Sequence, residues 1–172
     1  ELLFPTLEDL TDMLLQGRAQ LGIGYQKLQP LPAISARSLG HVRMPFVVAP
    51  SHPLAHAPAP SRYDLQQYRQ ITVTGRQDGE ERQRFRHSNQ TWWVESDQGV
   101  LTLIRRGLGW GNVPAFLLQD ALRHGEVVAF EPDFVAAAPT LALELLWHTA
   151  TPCGPARQWL RQALLDIAAL AE

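Results

Sequence analysis

Apolar positions in this chain alternate between helical and strand spacing from one end to the other. Leu7, Leu10, Met13 and Leu14 fall on one helical face, with Thr6 as the cap, Asp9 three places later as a capping-box partner and Gly17 as the stop. Leu21 to Tyr25 reads as a buried strand, and Pro30 and Pro32 mark a linker suited to a lobe crossing. Ile34 to Leu39 alternates like a half-buried strand, and Pro45 to Ala49 is a continuous apolar run. The prolines between Pro50 and Pro60 predict a rigid surface loop with no regular element.

Farther on, a helical turn at Asp64 to Tyr68 precedes strands at Ile71 to Thr74 and Thr91 to Glu95, with the polar stretch Gly75 to Gln90 between them. Ser96 caps a helix that carries Val100, Leu101, Leu103 and Ile104 and ends at Gly107. Leu108 to Val113 reads as a glycine-loosened strand, Pro114 opens the next helix in its first turn, and Gly125 closes it. Strands at Val127 to Phe130 and Leu141 to Trp147 lead to a last helix from Pro155. Its apolar face, Trp159, Leu160, Ala163, Leu164, Ile167 and Leu170, is expected to pack on a sheet. The alternation predicts an α/β fold with a sheet covered on both faces.

With 172 residues, 45% of them hydrophobic, the chain can bury a core as one domain or two small lobes. Fifteen Lys and Arg against 17 Asp and Glu leave no field for a polyanion, which argues against direct nucleic-acid binding by this stretch. A single cysteine, Cys153, excludes an internal disulfide, and no apolar run approaches the roughly 20 residues that span a bilayer. There is no signal-peptide pattern either, and a cytoplasmic location with no membrane partner is the expectation.

Catalytic patterns fail on local geometry. His52 and His56 have the spacing of a helical metal pair, but Pro53 lies between them, so no helix aligns them. No nucleophile elbow or phosphate loop is present, and GLGWG lacks the final glycine of a dinucleotide fingerprint. Cys153 sits between Pro152 and Gly154 with no neighbouring histidine. Arg82, Arg84 and Arg86, preceded by Asp78, Glu80 and Glu81, read as a solvated loop, with an anion contact or a dimer contact as the functional alternative. Neither an enzyme, a metal site nor a cofactor is expected.

Several segments taken in order resemble the effector-binding domain of LysR-type transcriptional regulators. LTDMLLQGRAQLGIGY is similar to the helix, glycine and buried strand that end the family's first lobe. SLGHVRMPFVVAPSHPLA resembles the strand pair and loop that begin its second lobe, and DLQQYRQITV the helix and strand that follow. VESDQGVLTLIRRGLGWGNVP and HGEVVAF resemble its late elements. The order and spacing of these pieces carry more than any one of them. Where the family usually has aliphatic residues, this chain has Trp110, Gly111 and Asn112.

The resemblance implies a two-lobed fold like that of type 2 periplasmic binding proteins. Residues 1–27 and about 141–172 would form lobe I, and about 28–140 lobe II. Lobe I is expected to be incomplete in this chain, and the winged helix-turn-helix absent from it. A small effector would sit between the lobes and bias an oligomer, a homodimer or homotetramer, that meets promoter DNA only through the missing N-terminal domain. A solute-binding module of the same fold with no regulatory role is the alternative.

The candidate effector residues follow from that resemblance. Thr6 matches a polar position at a helix start, where capping alone also accounts for a threonine. Thr72 and Thr74 stand on a strand end from which the family points hydroxyls into the cleft, and strand propensity is the competing account. Ser96 opens a helix whose N-terminus suits anions, and Tyr25 lies where the chain leaves the first lobe. Trp92 and Trp93 must face opposite ways, so at most one enters the cleft; the sequence leaves the choice between them open, and Trp93 is carried in the candidate set. Trp110 and Asn112 share a strand face, with core packing as the competing account. Pro114, at the end of the same motif, completes the set.

Overall fold

A computed structural model of the protein describes residues 1–5, 7–27, 31–73, 86–152 and 154–169. Thr6, Thr74, Cys153 and Leu170 lie outside the described residues, as do Arg82 and Arg84. The chain forms two compact units, Glu1–Val42 with Leu141–Glu172, and Arg43–Thr140.

The first unit begins with helix α1 (Leu7–Leu15), followed by strands β1 (Gly22–Tyr25) and β2 (Ile34–Arg43). Strand β8 (Thr140–His148) returns between them in the order β1-β8-β2, with β1 antiparallel to β8 from Gly22 opposite Leu146 to Tyr25 opposite Leu143. Leu10 and Leu14 of α1 pack on Leu146, flanked by Ala19 and Ile34. The helix stops because Gly17 takes φ +70°, which lets Gly17 N–H bond the Leu14 carbonyl and Arg18 N–H that of Met13.

Two expectations are corrected in this unit. The proline linker at Pro30 and Pro32 is not where the units divide; β2 pairs with β8, so the division falls between Val42 and Arg43. In the last helix, α5 (Pro155–Ala169), the expected apolar face is largely outward, with Trp159 72% and Ile167 65% exposed. The side turned inward carries the buried Arg157, which donates to the Thr151 carbonyl, and Arg161, whose guanidinium lies over the Trp147 ring at 5.2 Å. Long basic side chains cover apolar surface with their stems, so apolar spacing alone misassigned the buried face.

The second unit is built on the short strand β3 (Phe46–Val48), antiparallel to both β6 (Gly111–Asn112) and β7 (Val128–Phe130). Strand period puts Val47 in one core with Ile71, Val100, Leu101, Ile104 and Leu118, and Phe46 and Val48 in another with Leu54, Leu65, Trp110 and Phe130. A strand covered on both faces must be apolar throughout, hence the run read from the sequence. Strands β4 (Gln70–Val73) and β5 (Thr91–Val94) pair in parallel, and Gln70 bridges to Trp110.

Among the described residues this unit also holds helices α2 (Arg62–Gln66), α3 (Asp97–Arg105) and α4 (Ala115–Arg123). The proline-rich loop expected to lack regular structure holds a 3₁₀ turn at Pro53–His56, which buries Leu54. Its cap is His52, whose Nδ1 accepts the Leu54 N–H at 3.2 Å. Pro114 precedes the first turn of α4 as its N-cap and does not stand inside it.

Candidate functional site

Strand β4 and strand β5 run in parallel and end together, and in α/β sheets the carboxyl ends of such strands are where ligands bind. Thr72 lies opposite Trp93 in the register, so the hydroxyl and the indole share one face. Thr72 is buried and Trp93 partly so. Trp92 points the other way; it is 42% exposed and stacked under the Arg69 guanidinium at 4.0 Å. The neighbour of Thr72 is therefore Trp93.

Two residues beyond β5, Ser96 caps α3, its Oγ accepting the Gly99 N–H at 3.1 Å. Ser96 itself is exposed, and Asp97 follows it in the first turn of the helix. A Cβ at Gly99 would lie 2.7 Å from Val94 Cγ1, so a larger residue there would have to displace the Val94 side chain.

The GLGWG run is explained by backbone approach. Trp110 N–H donates to the Arg69 carbonyl at 3.0 Å, and Ile71 N–H donates to the Trp110 carbonyl at 2.7 Å. A Cβ at Gly109 would stand 2.3 Å from Arg69 O, and one at Gly111 2.2 Å from Ile71 O. Only glycine lets this segment lie against β4.

That docking also decides Trp110, which is fully buried among Phe46 and Phe130, with its Nε1–H donated to the Leu65 carbonyl at 3.1 Å. It is a core residue and is withdrawn as an effector contact. Asn112 is partly accessible, but its amide Nδ2 donates to the Met44 carbonyl at 2.9 Å and so anchors β6 to the start of β3. Pro114 is buried and caps α4 without a side-chain hydrogen bond. Within the second unit the register pairs Thr72 with Trp93, Ser96 caps the helix that follows β5, and Trp110, Asn112 and Pro114 have structural work.

In the first unit Tyr25 lines a mostly apolar cavity of about 110 Å³ with Thr11, Lys27, Ile34, Glu144 and Leu146. Gln26 donates to the Glu144 carboxylate at 3.2 Å across its rim. Lys27 and Glu144 carry no motif, and only the strand pairing that aligns Tyr25 with Leu143 sets them near one another.

Two imidazoles in the second unit are held below the usual histidine pKa. For His52 the cause is burial; for His87 it is burial first and then the positive charge of Arg62. His52 serves as a cap and lies edge-on to Tyr68 at 4.8 Å. Among the described residues no group of three or more His, Cys, Asp or Glu is placed to hold a metal.

The model of the LysR substrate binding domain matches residues 1–169. This chain belongs to that family. The uncharacterized HTH-type transcriptional regulator YeeY of Escherichia coli K12 is 30% identical over 93% of this chain and 52% of its own length. The multiple virulence factor regulator MvfR of Pseudomonas aeruginosa is 34% identical over 51% of the chain and 26% of its length. The LysR-family chain described here spans about half the length, or less, of these curated relatives.

Among solved structures, the effector-binding domain of QuiR in complex with shikimate superposes with a TM-score of 0.73 at 16% identity, over 95% of this chain and 78% of that one. The regulatory domain of Synechocystis CcmR in complex with 2-PG gives 0.75 at 10% identity, over 95% and 80%. These likenesses concern the fold, which in LysR substrate-binding domains is α/β, two-lobed and similar to periplasmic binding proteins.

Proposed function

We propose that this domain is the sensor of a bacterial LysR-type regulator: it binds a small, preferably anionic effector and thereby modulates transcription through a helix-turn-helix domain outside this chain. The observation that carries the reading is the family match over residues 1–169. In the second unit, Thr72 and Trp93 offer a hydroxyl and an indole from paired strands, and Ser96 offers a capped helix start. Hydroxyls and a helix N-terminus favour carboxylates or phosphates.

Recognition is the task here, so no side chain is assigned a catalytic role. The effector acts by binding one state of the regulator more tightly than another, and only that difference in affinity shifts the equilibrium. The near-balanced charge, 15 Lys and Arg against 17 Asp and Glu, does not favour a polyanion, and regulation is assigned to a cytoplasmic homo-oligomer. Reading the gene upstream of Glu1 tests the proposal: a helix-turn-helix followed by a long helix supports it. A secretory signal peptide there would refute it in favour of a solute-binding module.

A further inference from the structure

His87 is used by none of the roles above. It stands in the segment 86–90 that leads into β5, its ring centroid 6.2 Å from Phe46, 6.2 Å from Trp110 and 6.0 Å from Phe134. Its Nδ1 is buried and, among the described residues, has no hydrogen-bond partner. The backbone around it is tightly fixed. Buried Gln70 accepts the N–H groups of His87 and Ser88 on Oε1, at 2.7 and 3.1 Å. Ser88 Oγ donates to the Tyr68 carbonyl at 3.0 Å, and Thr91 Oγ1 donates to the Ser88 carbonyl at 2.7 Å.

A neutral imidazole fits this apolar setting; an imidazolium does not. Protonation would give Nδ1 a proton with no acceptor and set a positive charge among aromatic rings, where burial penalises it. Among the described residues, the charged groups on the packed elements do not relieve this. Arg62 of α2 lies over the Phe134 ring at 4.5 Å and adds repulsion, while Asp64 is held by Ser61 in the capping box of α2. Arg86, in the segment itself, donates to the Ser88 carbonyl and Asn89. Glu131 and Asp133 flank the Phe134 segment; β3 and residues 108–112 carry no charge.

We propose that His87 is a proton-operated latch on β5: neutral, it packs into the Phe46–Trp110–Phe134 cluster and holds the segment; protonated, it leaves and the segment loosens. Among the described residues β5 pairs with β4 alone. Loosening its entry therefore loosens the strand that ends in Trp93 and leads to Ser96. The reach to effector binding rests on the function proposed above, but the latch can be tested without an effector.

The test is amide hydrogen exchange of Thr91 to Val94 at pH 7.5 and 5.5, corrected for intrinsic rates. The wild-type protein should lose protection several-fold at the lower pH, by at most about tenfold per pH unit for one proton. His87→Phe should abolish the pH dependence, and His52→Gln should keep it. Equal protection at both pH values in the wild type, or the same loss in His87→Phe, would overturn the latch. If His87→Phe does not fold, the imidazole is titrated by NMR in the wild type. Loss of protection must then track the His87 midpoint, and a separate midpoint overturns the proposal.

Discussion

Replacing Trp110 by Phe separates the two roles that sequence leaves open for it, core residue or effector contact. The indole is fully buried and its Nε1–H reaches the Leu65 carbonyl. Shrinking the ring vacates roughly 40 Å³, which at about 24 cal/mol per Å³ costs about 1 kcal/mol. Losing the buried hydrogen bond costs about 1 kcal/mol more, at the low end of its range, because the Leu65 carbonyl keeps the Tyr68 N–H at 3.3 Å. The sum, about 2 kcal/mol, lowers the melting temperature of a chain this size by roughly 4–8 °C. Urea denaturation followed by circular dichroism and by fluorescence measures it. A loss below about 0.5 kcal/mol, accompanied by weaker effector binding, would refute the core assignment.

Gly111→Ala should cost more than about 2 kcal/mol in the same assay, since its Cβ would meet a carbonyl oxygen of β4 rather than a movable side chain. Stability should also depend on pH. His52 and His87 are both disfavoured as cations in the folded state, so the unfolded chain binds more protons. Stability is then fully present above about pH 6.5 and is lost as the pH falls below it, which denaturation at pH 7.5 and 5.5 reads directly. Ser96→Ala should cost about 1 kcal/mol as a lost cap. Ser96→Asp should keep the cap yet repel an anionic effector, so its melting temperature stays near wild type while titration calorimetry shows at least tenfold weaker binding.

The elements were legible because each has a local physical cause. Gly17, Gly107 and Gly125 take positive φ where three helices end, and Ser96 caps where a serine precedes an apolar-periodic run. The continuous run at Phe46–Val48 is a strand with a core on either side. What local pattern misjudged was set by distant partners. The outward face of α5 follows from Arg157 and Arg161 finding a carbonyl and a ring elsewhere in the unit. The division at Val42 follows from β2 pairing with β8, more than a hundred residues later.

The candidate site was legible in part, for the same reason. Thr72 stands opposite Trp93 because two parallel strands pair in register, and Ser96 caps the helix that follows β5. Trp110 carried the same sequence signal, yet its depth depends on Gly109 and Gly111 letting the backbone close on β4. His87 gave no signal at all: it sits in a polar stretch without periodicity, and only the fold surrounds it with rings from three other segments.

The central claim is that this domain senses a small effector through the Thr72 face of β4 and β5. Ligand-induced thermal shift tests it most directly, using wild type and Thr72→Val against a panel of small carboxylates, phosphates and amino acids. A ligand that binds the native state alone raises the melting temperature by mass action. The expected result is a rise of several degrees with at least one compound and its loss in Thr72→Val, whose unliganded stability stays within about 1 kcal/mol of wild type. No shift with any class at millimolar concentration, or a shift undiminished in Thr72→Val, would contradict the claim.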